Sequence, residues 1–323
     1  MLGGGIVTHV RTDEAKKRAR GQYYTAASPF RLPAFRGWAA KIGLGSMTVL
    51  EPFAGANNIP KMLAADRVCK SFVSYDVAPQ DPKVQKKDTL RSFPKNFDVC
   101  ITNPPWLGRY AAKRRGLAWP DIQYDDIYKH CLQLALDSCP YAAFIIPATF
   151  LQSCQFRERL ETLIFINGKM FTETDNPVCL ALFGSGGGEG STKIYSGYKY
   201  LGTIGRLERH VPAPTRSLKI RFNCPGGSLG LYGIDNTREA SIRFCRGCEI
   251  TNEIKHSSRS ITRINVSFRV TNAVVNRLNS EFSRFRAVTH DVFLTPFKGL
   301  RRDGLYRRRL DYELARRFIN EYA

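Results

Sequence analysis

Phe97-Asp98-Val99-Cys100-Ile101-Thr102-Asn103-Pro104-Pro105-Trp106 runs from an apolar stretch of strand length into a rigid polar turn. Proline fixes φ and carries no amide donor, so the turn presents acceptors with little freedom. Those acceptors are the Asn103 side-chain oxygen and the Pro104 carbonyl. Trp106 adds a flat π-face on which a base can stack. An amine held by two acceptors and capped by an aromatic ring is poised to attack an electrophilic methyl group. Taken alone, the four residues would also serve as an ordinary strand-ending turn, so the neighbouring segments decide.

Upstream, Val49-Leu50-Glu51-Pro52-Phe53-Ala54-Gly55-Ala56-Asn57-Asn58 reads as a buried strand ending in an acid, then a loop of small residues. Glycine lets backbone approach a ligand closely, and open α/β sheets bind cofactors beyond the carboxyl ends of their strands. Phe72-Val73-Ser74-Tyr75-Asp76 is a second apolar strand ending in an acid, at a spacing that suits a carboxylate on ribose hydroxyls. Asp88 follows, ahead of the strand into Asn103. The loop lacks GxGxxG, which argues against a nicotinamide dinucleotide. Each acid alone has a bland explanation: Glu51 as a helix cap, Asp76 as a turn residue, Asp88 as a surface charge. Their fixed order, each near a strand end, favours a ligand site.

In this combination the chain resembles S-adenosylmethionine-dependent amino-methyltransferases, and within them the DNA adenine-N6 methyltransferases of restriction-modification systems. The likeness covers residues 20–183. It includes Gly21-Gln22-Tyr23-Tyr24-Thr25, similar to the family segment that meets the methionine end of the cofactor. It also includes the stretch from Phe171 to Phe183, similar to the segment whose aromatic packs on the target base. The resemblance implies an α/β, Rossmann-like, doubly wound and mostly parallel sheet, followed by a smaller basic β-rich or α+β domain. It implies S-adenosyl-L-methionine as cofactor, held by Tyr23, Tyr24, Thr25, Glu51, Phe53, Ala54, Gly55, Asp76, Val77, Asp88 and Asn103. Glu51 falls near the cofactor's amino-acid or sugar end, Asp76 on the ribose and Asp88 on the adenine. Asn103, Pro104, Pro105 and Trp106 form the catalytic segment, and Trp106 and Phe171 stack on a flipped target base. No metal is called for, because the leaving group is already activated. Double-stranded DNA is the implied partner, with room for a cognate restriction endonuclease, in the cytoplasm of a bacterial or phage-infected cell. One departure is the cofactor loop, FAGANN, where many relatives carry a further glycine or a Cys-Gly pair.

Charge agrees with a polyanionic partner. The 323 residues hold 49 Lys and Arg against 28 Asp and Glu, a formal charge of +21, and the pI is near 9.8. Residues 191–323 carry 25 of the basic and 11 of the acidic side chains, which marks the second half as the nucleic-acid-binding part. Most of those basic residues are arginine, able to pair bidentately with phosphate or guanine edges.

Nine cysteines are scattered and odd in number, with no apolar signal segment ahead of them, as expected of a reduced intracellular chain. Cys245 and Cys248 form a CxxC, to which Cys224 and His256 could add zinc ligands, but the spacing is looser than structural zinc sites use. The longest apolar run, 141–151, is too short to span a bilayer and contains Pro147.

The chain divides into a basic arm (1–20), a catalytic domain (21–183), a glycine-rich linker (184–190) and a basic recognition domain (191–323). Helices are expected over 28–46 and 121–139, the second with Ile127, Cys131, Leu134 and Leu136 as its apolar face. Strands are expected over 141–147, 218–222 and 261–270. A basic helix over 306–322 should turn Leu310, Leu314 and Phe318 inward and Arg307, Arg308, Arg316 and Arg317 outward.

Three alternatives share some of these features. An RNA adenine-N6 methyltransferase uses the same motif and charge. A protein-glutamine methyltransferase uses a similar motif but needs no arginine-rich second half. A non-catalytic nucleic-acid-binding module explains the charge and leaves the ordered acids and Asn-Pro-Pro-Trp without a purpose.

Overall fold

The computed structural model describes residues 28–171, 174–186 and 190–323. The basic arm and the 21–25 segment, with Tyr23, Tyr24 and Thr25, lie outside the described residues. The chain forms two compact units, one of residues up to 150 together with 155–200, the other of 151–154 with 201–323.

The first unit is organised by one sheet. Its strands are β1 (Thr48–Glu51), β2 (Ser71–Asp76), β3 (Gln85–Lys86), β4 (Val99–Thr102), β5 (Tyr141–Pro147), β6 (Leu160–Phe165), β7 (Val178–Phe183), β8 (Lys193–Ser196) and β9 (Lys199–Thr203), the last carrying the chain into the second unit. Their spatial order is β3-β2-β1-β4-β5-β7-β6-β8-β9. The run from β3 to β5 is parallel. β7 enters antiparallel between β5 and β6. The sheet is therefore of the mostly parallel α/β type that the resemblance implies. β4, β5 and β7 are apolar almost throughout because helices and loops cover both their faces.

Among the described residues, four α-helices belong to this unit: α1 (Pro33–Ile42), α2 (Asn58–Ala65), α3 (Arg109–Arg114) and α4 (Ile127–Ser138). The helix expected over 28–46 is interrupted. Pro33 opens α1 and Gly43, at φ +72°, ends it. α4 begins at Ile127 rather than 121, because Gly108 and Asp126 pair as an isolated bridge and Arg109 donates its amide to the Asp125 carbonyl. Its buried face is Tyr128, Cys131, Leu132, Ala135 and Leu136, while Ile127 and Leu134 are only half-buried. Arg159 ties the far end of this layer together. It donates to the carbonyls of Gly184 (2.7 Å) and Cys139 (3.1 Å), and to those of Leu136 and Pro140.

The glycine-rich stretch does not separate the sheet from a second domain. Beyond it β8 returns beside β6 in parallel register, with Leu163 opposite Ile194. The first unit thus extends to residue 200. Glycine content reports a pliable connection; it carries no information on whether the next strand pairs back.

In the second unit, β10 (Ile220–Arg221), β11 (Leu229–Tyr232), β12 (Arg243–Arg246) and β13 (Ile261–Val266) make an antiparallel sheet in the order β10-β13-β11-β12. β14 (Thr295–Leu300) and β15 (Tyr306–Arg309) form a separate antiparallel pair. Helices α5 (Ile204–Glu208), α6 (Asn272–Thr289) and α7 (Tyr312–Tyr322) complete it. Leu278, Phe282 and Phe285 of α6 meet Phe318 of α7 over Leu231, Phe244 and Ile264 of the sheet. Phe318 packs edge-on against Phe282 and Phe285, at 5.3 and 5.1 Å.

The helix expected over 306–322 is divided. Tyr306 to Arg309 pairs with β14, and Asp311 then caps α7 by accepting the Leu314 amide at 2.8 Å. Leu310, Leu314 and Phe318 are buried. Arg307 and Arg308 lie on the strand instead of an outer helix face, and burial pushes the Arg308 guanidinium down to about 10. Arg316 donates to the Ile220 carbonyl at 2.9 Å and is half-buried; Arg317 is exposed.

Asp235 is the polar centre of this unit. Fully buried, it takes a bidentate pair from Arg286 (2.8 and 2.9 Å), a third bond from Arg301 (3.1 Å) and the amides of Ser241, Ile242 and Arg308. Of the CxxC, Cys245 is buried and Cys248 exposed. Cys245 packs under Gly230, where a Cβ would come within 2.6 Å of its Sγ, and burial raises its thiol to about 11. Among the described residues no three His, Cys, Asp or Glu side chains converge as a metal site. No helix among them is long and apolar enough to cross a membrane.

Candidate active site at the carboxyl edge of the sheet

Parallel pairing sets the carboxyl ends of β2, β1 and β4 side by side. Those ends are Asp76, Glu51 and Thr102, and the chain order reverses between β1 and β4, where such sheets form a crevice. A cavity of about 230 Å³ opens there. Its walls include Glu51, Phe53, Ala54, Gly55, Asp76, Val77, Asp88, Asn103, Pro104 and Pro105, all singled out in the sequence, together with Asn58, Ile59, Thr89 and Leu90. Among the described residues, the lining carries three carboxyl groups and no basic side chain.

The loop after β1 is held in one shape. The Ala54 amide donates to the Tyr75 carbonyl (2.9 Å) and the Gly55 amide to Asp76 Oδ2 (2.8 Å). Gly55 and Asn57 both adopt left-handed backbone, at φ +50° and +62°. The Asn57 side-chain oxygen accepts the Ser74 hydroxyl at 2.8 Å. The other Asp76 oxygen accepts the Ala78 amide at 2.8 Å. Both carboxylate oxygens are thereby oriented, and each keeps acceptor capacity for a hydroxyl pair. Asp88, half-buried, accepts the amides of Leu90 (3.2 Å) and Arg91 (3.4 Å). Thr89 beside it donates to the Pro52 carbonyl at 2.9 Å and pins this loop to the first.

Glu51 is treated differently. It is 1% exposed. Its Oε1 accepts the Thr102 hydroxyl (2.5 Å) and the Phe53 amide (3.1 Å). Its Oε2 is buried with no hydrogen-bond partner among the described residues. Burial pushes the carboxyl up to about 8, the two donated bonds oppose that, and the nearby Asp76 charge adds to it. A donor or cation entering the cavity would satisfy Oε2 and favour the carboxylate.

Asn103, Pro104 and Pro105 continue the β4 edge into the cavity wall. The next residues are fastened to the start of α4. Leu107 donates its amide to Asp126 Oδ1 (3.1 Å), and Ile127 donates to the Leu107 carbonyl (3.1 Å). Burial pushes the Asp126 carboxyl up to about 6, against the amides of Tyr128 and Leu107. Trp106 and Phe171 lie edge-to-face at 5.2 Å, 7% and 1% exposed, and do not line the cavity.

Thr102 and Asp126 were not singled out from sequence. Asp126 carries a legible signal, an acid directly before a helix. Thr102 carries none, since only the pairing of β1 with β4 brings it to Glu51.

No protein-family model matches this chain, and no curated protein matches it. Several solved structures resemble it weakly. A type I restriction-modification methyltransferase subunit from Streptococcus thermophilus is 13% identical over 54% of this chain and 47% of its own, with a TM-score of 0.37. A modification subunit of a putative type I restriction enzyme from Vibrio vulnificus is 15% identical, covering 58% and 50%, with a TM-score of 0.36. A putative class I S-adenosylmethionine-dependent methyltransferase from Listeria monocytogenes is 12% identical, covering 58% and 72%, with a TM-score of 0.37. The chain thus spans about half the length of the first two.

Proposed function

We propose that this protein is an S-adenosylmethionine-dependent methyltransferase acting on the exocyclic N6 amine of adenine in DNA. The observation that carries the proposal is the convergence of Glu51, Asp76, Asp88, Asn103 and Pro104 on one cavity at the sheet's carboxyl edge. The residues fit the cofactor. Glu51 Oε2, buried and unsatisfied, suits its cationic amino-acid end, and the doubly oriented Asp76 suits ribose hydroxyls. Asp88 accepts from the cofactor's adenine amine. Bound there, S-adenosylmethionine supplies a methyl group activated by a sulfonium.

The chain's own residues supply the rest. A target adenine leaves the duplex stack to enter the site. Asn103 Oδ1 and the Pro104 carbonyl accept its two amine N–H groups. Pro105 has no amide to compete at that turn. The two bonds draw the nitrogen lone pair out of conjugation and stabilise the positive charge that develops there; loss of one such dipole costs ~3 kcal/mol. Trp106 and Phe171 stack on the base once the ring pair opens. The arginine-rich second unit binds backbone, with either site-specific or relaxed reading of sequence, and mapping methylated adenines on plasmid DNA separates the two. A cognate endonuclease partner and a bacterial or phage setting belong to the same proposal.

The test is methyl transfer to unmodified plasmid DNA, read by nucleoside mass spectrometry, with Asn103→Ala beside wild type. N6-methyladenine from wild type and at least a hundredfold less from the variant is expected. Absence of any methylated base from wild type overturns the proposal for DNA. Methylation of RNA alone would move the substrate to the RNA alternative.

A further inference from the structure

A second cleft, of about 400 Å³, lies within the second unit and shares no lining residue with the cavity at the sheet edge. Three chain segments build it. Asn223 follows β10, His256 to Arg259 form the loop before β13, and Arg309, Asp311 and Tyr312 join β15 to α7.

Its floor is rigid. The Tyr312 ring stacks on Phe222 at 4.2 Å and 10° between planes, and the Arg316 guanidinium covers Phe222 at 5.4 Å. The Tyr312 hydroxyl donates to the Ser258 carbonyl, with Asn223 Oδ1 at 3.1 Å. The Asn223 amide group donates to the carbonyls of His256 (2.8 Å) and Ser258 (3.2 Å), which holds the loop to the floor. Asn223 itself sits in left-handed backbone, at φ +58°.

Two arginines face this cleft. Arg309 is half-buried and Arg259 exposed. Neither closes an ion pair nor donates a side-chain hydrogen bond among the described residues. Burial and the adjacent Arg259 charge both work against the Arg309 cation; Asp311 favours it from nearby. The Asp311 oxygens are engaged by the Leu314 amide (2.8 Å) and Thr295 (3.5 Å). Two arginines of this unit's interior, Arg286 and Arg301, are by contrast matched to Asp235, Asp291 and Asp303. Two guanidiniums on one cleft whose one lining carboxylate, Asp311, already has both oxygens engaged, beside an exposed imidazole and the Ser257 hydroxyl, form a fork for an oxyanion with several acceptor oxygens.

We infer that this cleft is a phosphate-binding site, in which Arg259 and Arg309 clamp one phosphate and His256 and Ser257 rim it. The phosphodiester of a nucleic-acid strand is the source that the unit's arginine-rich composition favours, and a free nucleotide is the other source with the same chemistry. The inference does not depend on the proposed methyl transfer.

The test compares the full chain with Arg259→Gln and with Arg259→Gln/Arg309→Gln. Binding to duplex DNA is followed by fluorescence anisotropy across a salt series, and binding to adenosine 5′-monophosphate by calorimetry. The expected result is a slope of log affinity against log salt shallower by about one, equally on unrelated sequences, with the melting temperature unchanged in Arg259→Gln. Loss of nucleotide binding with an unchanged DNA slope assigns the site to a free nucleotide. Equal DNA slopes and equal nucleotide binding in all three proteins overturn the inference. Because Arg259 is exposed, the single variant decides the matter should the double variant misfold. If wild type binds nucleotide at this cleft but no nucleic acid, the proposed function fails and the phosphate site stands.

Discussion

Each unit buries one carboxyl group that dominates its polar chemistry, and the two are handled in opposite ways. Asp235 is fully buried in the second unit and surrounded by donors, two of them arginines. Burial raises its pKa, but the Arg286 bonds and charge and the amides of Ser241 and Ile242 outweigh that and hold the carboxyl below the usual range. Glu51 in the first unit is equally enclosed, accepts two hydrogen bonds on one oxygen, and meets no cation among the described residues. Its pKa moves up to about 8. A buried carboxylate that the fold has already neutralised is a structural element. One that still lacks a counter-charge and lines a cavity is a candidate binding group.

The largest expected effect tests the structural side. Asp235→Ala leaves Arg286 and Arg301 buried without their partner and should cost about 3–5 kcal/mol in urea unfolding of the chain. A loss below about 1 kcal/mol would mean that Asp291 and Asp303 can hold both arginines without it.

Glu51→Gln tests the other side and should act on ligand binding and on how stability depends on pH. S-adenosylhomocysteine affinity should fall by a factor corresponding to about 1.5–3 kcal/mol, the range of a hydrogen bond to a charged group. Stability should shift with pH in a defined direction. A carboxyl whose folded pKa is raised contributes stability that is fully present below its ordinary range and is lost as pH rises towards about 8. The glutamine variant lacks that slope. Its melting temperature relative to wild type should therefore climb from pH 5 to pH 8.5, and a flat difference would refute the assignment of Glu51 as a buried, unpaired acid.

The same shift links ligand binding to protons. If the proposed cofactor binds at Glu51, its cation should at pH 6.5 drive Glu51 towards the carboxylate and release part of a proton, read by calorimetry in buffers of differing ionisation enthalpy. Release should vanish in Glu51→Gln. The smallest effect belongs to Thr102→Val, which removes one of the two bonds on Oε1 and should weaken ligand binding by about 1 kcal/mol.

Much of the first unit was legible because its signals are local. The strand 141–147 occupies the expected residues, and Glu51 and Asp76 do end their strands. Asp126 before α4 is the kind of acid that starts a helix anywhere. Other features have no local signature. Pairing of β8 with β6 across the glycine-rich stretch, entry of β7 against its neighbours, and division of 306–322 into β15 and α7 all depend on partners far along the chain.

The sequence by itself determined which residues end the strands of the parallel sheet, that acids and an Asn-Pro-Pro turn stand at those ends, and that the basic charge concentrates in the second half. Only the tertiary structure decided that those ends share one cavity, that among the described residues Glu51 has no cation partner while Asp235 has two, and that Arg259 and Arg309 line one cleft with Tyr312. The physical reason is that hydrophobic period and turn chemistry act over a few residues, whereas burial and charge pairing depend on the atoms that folding brings close from elsewhere in the chain.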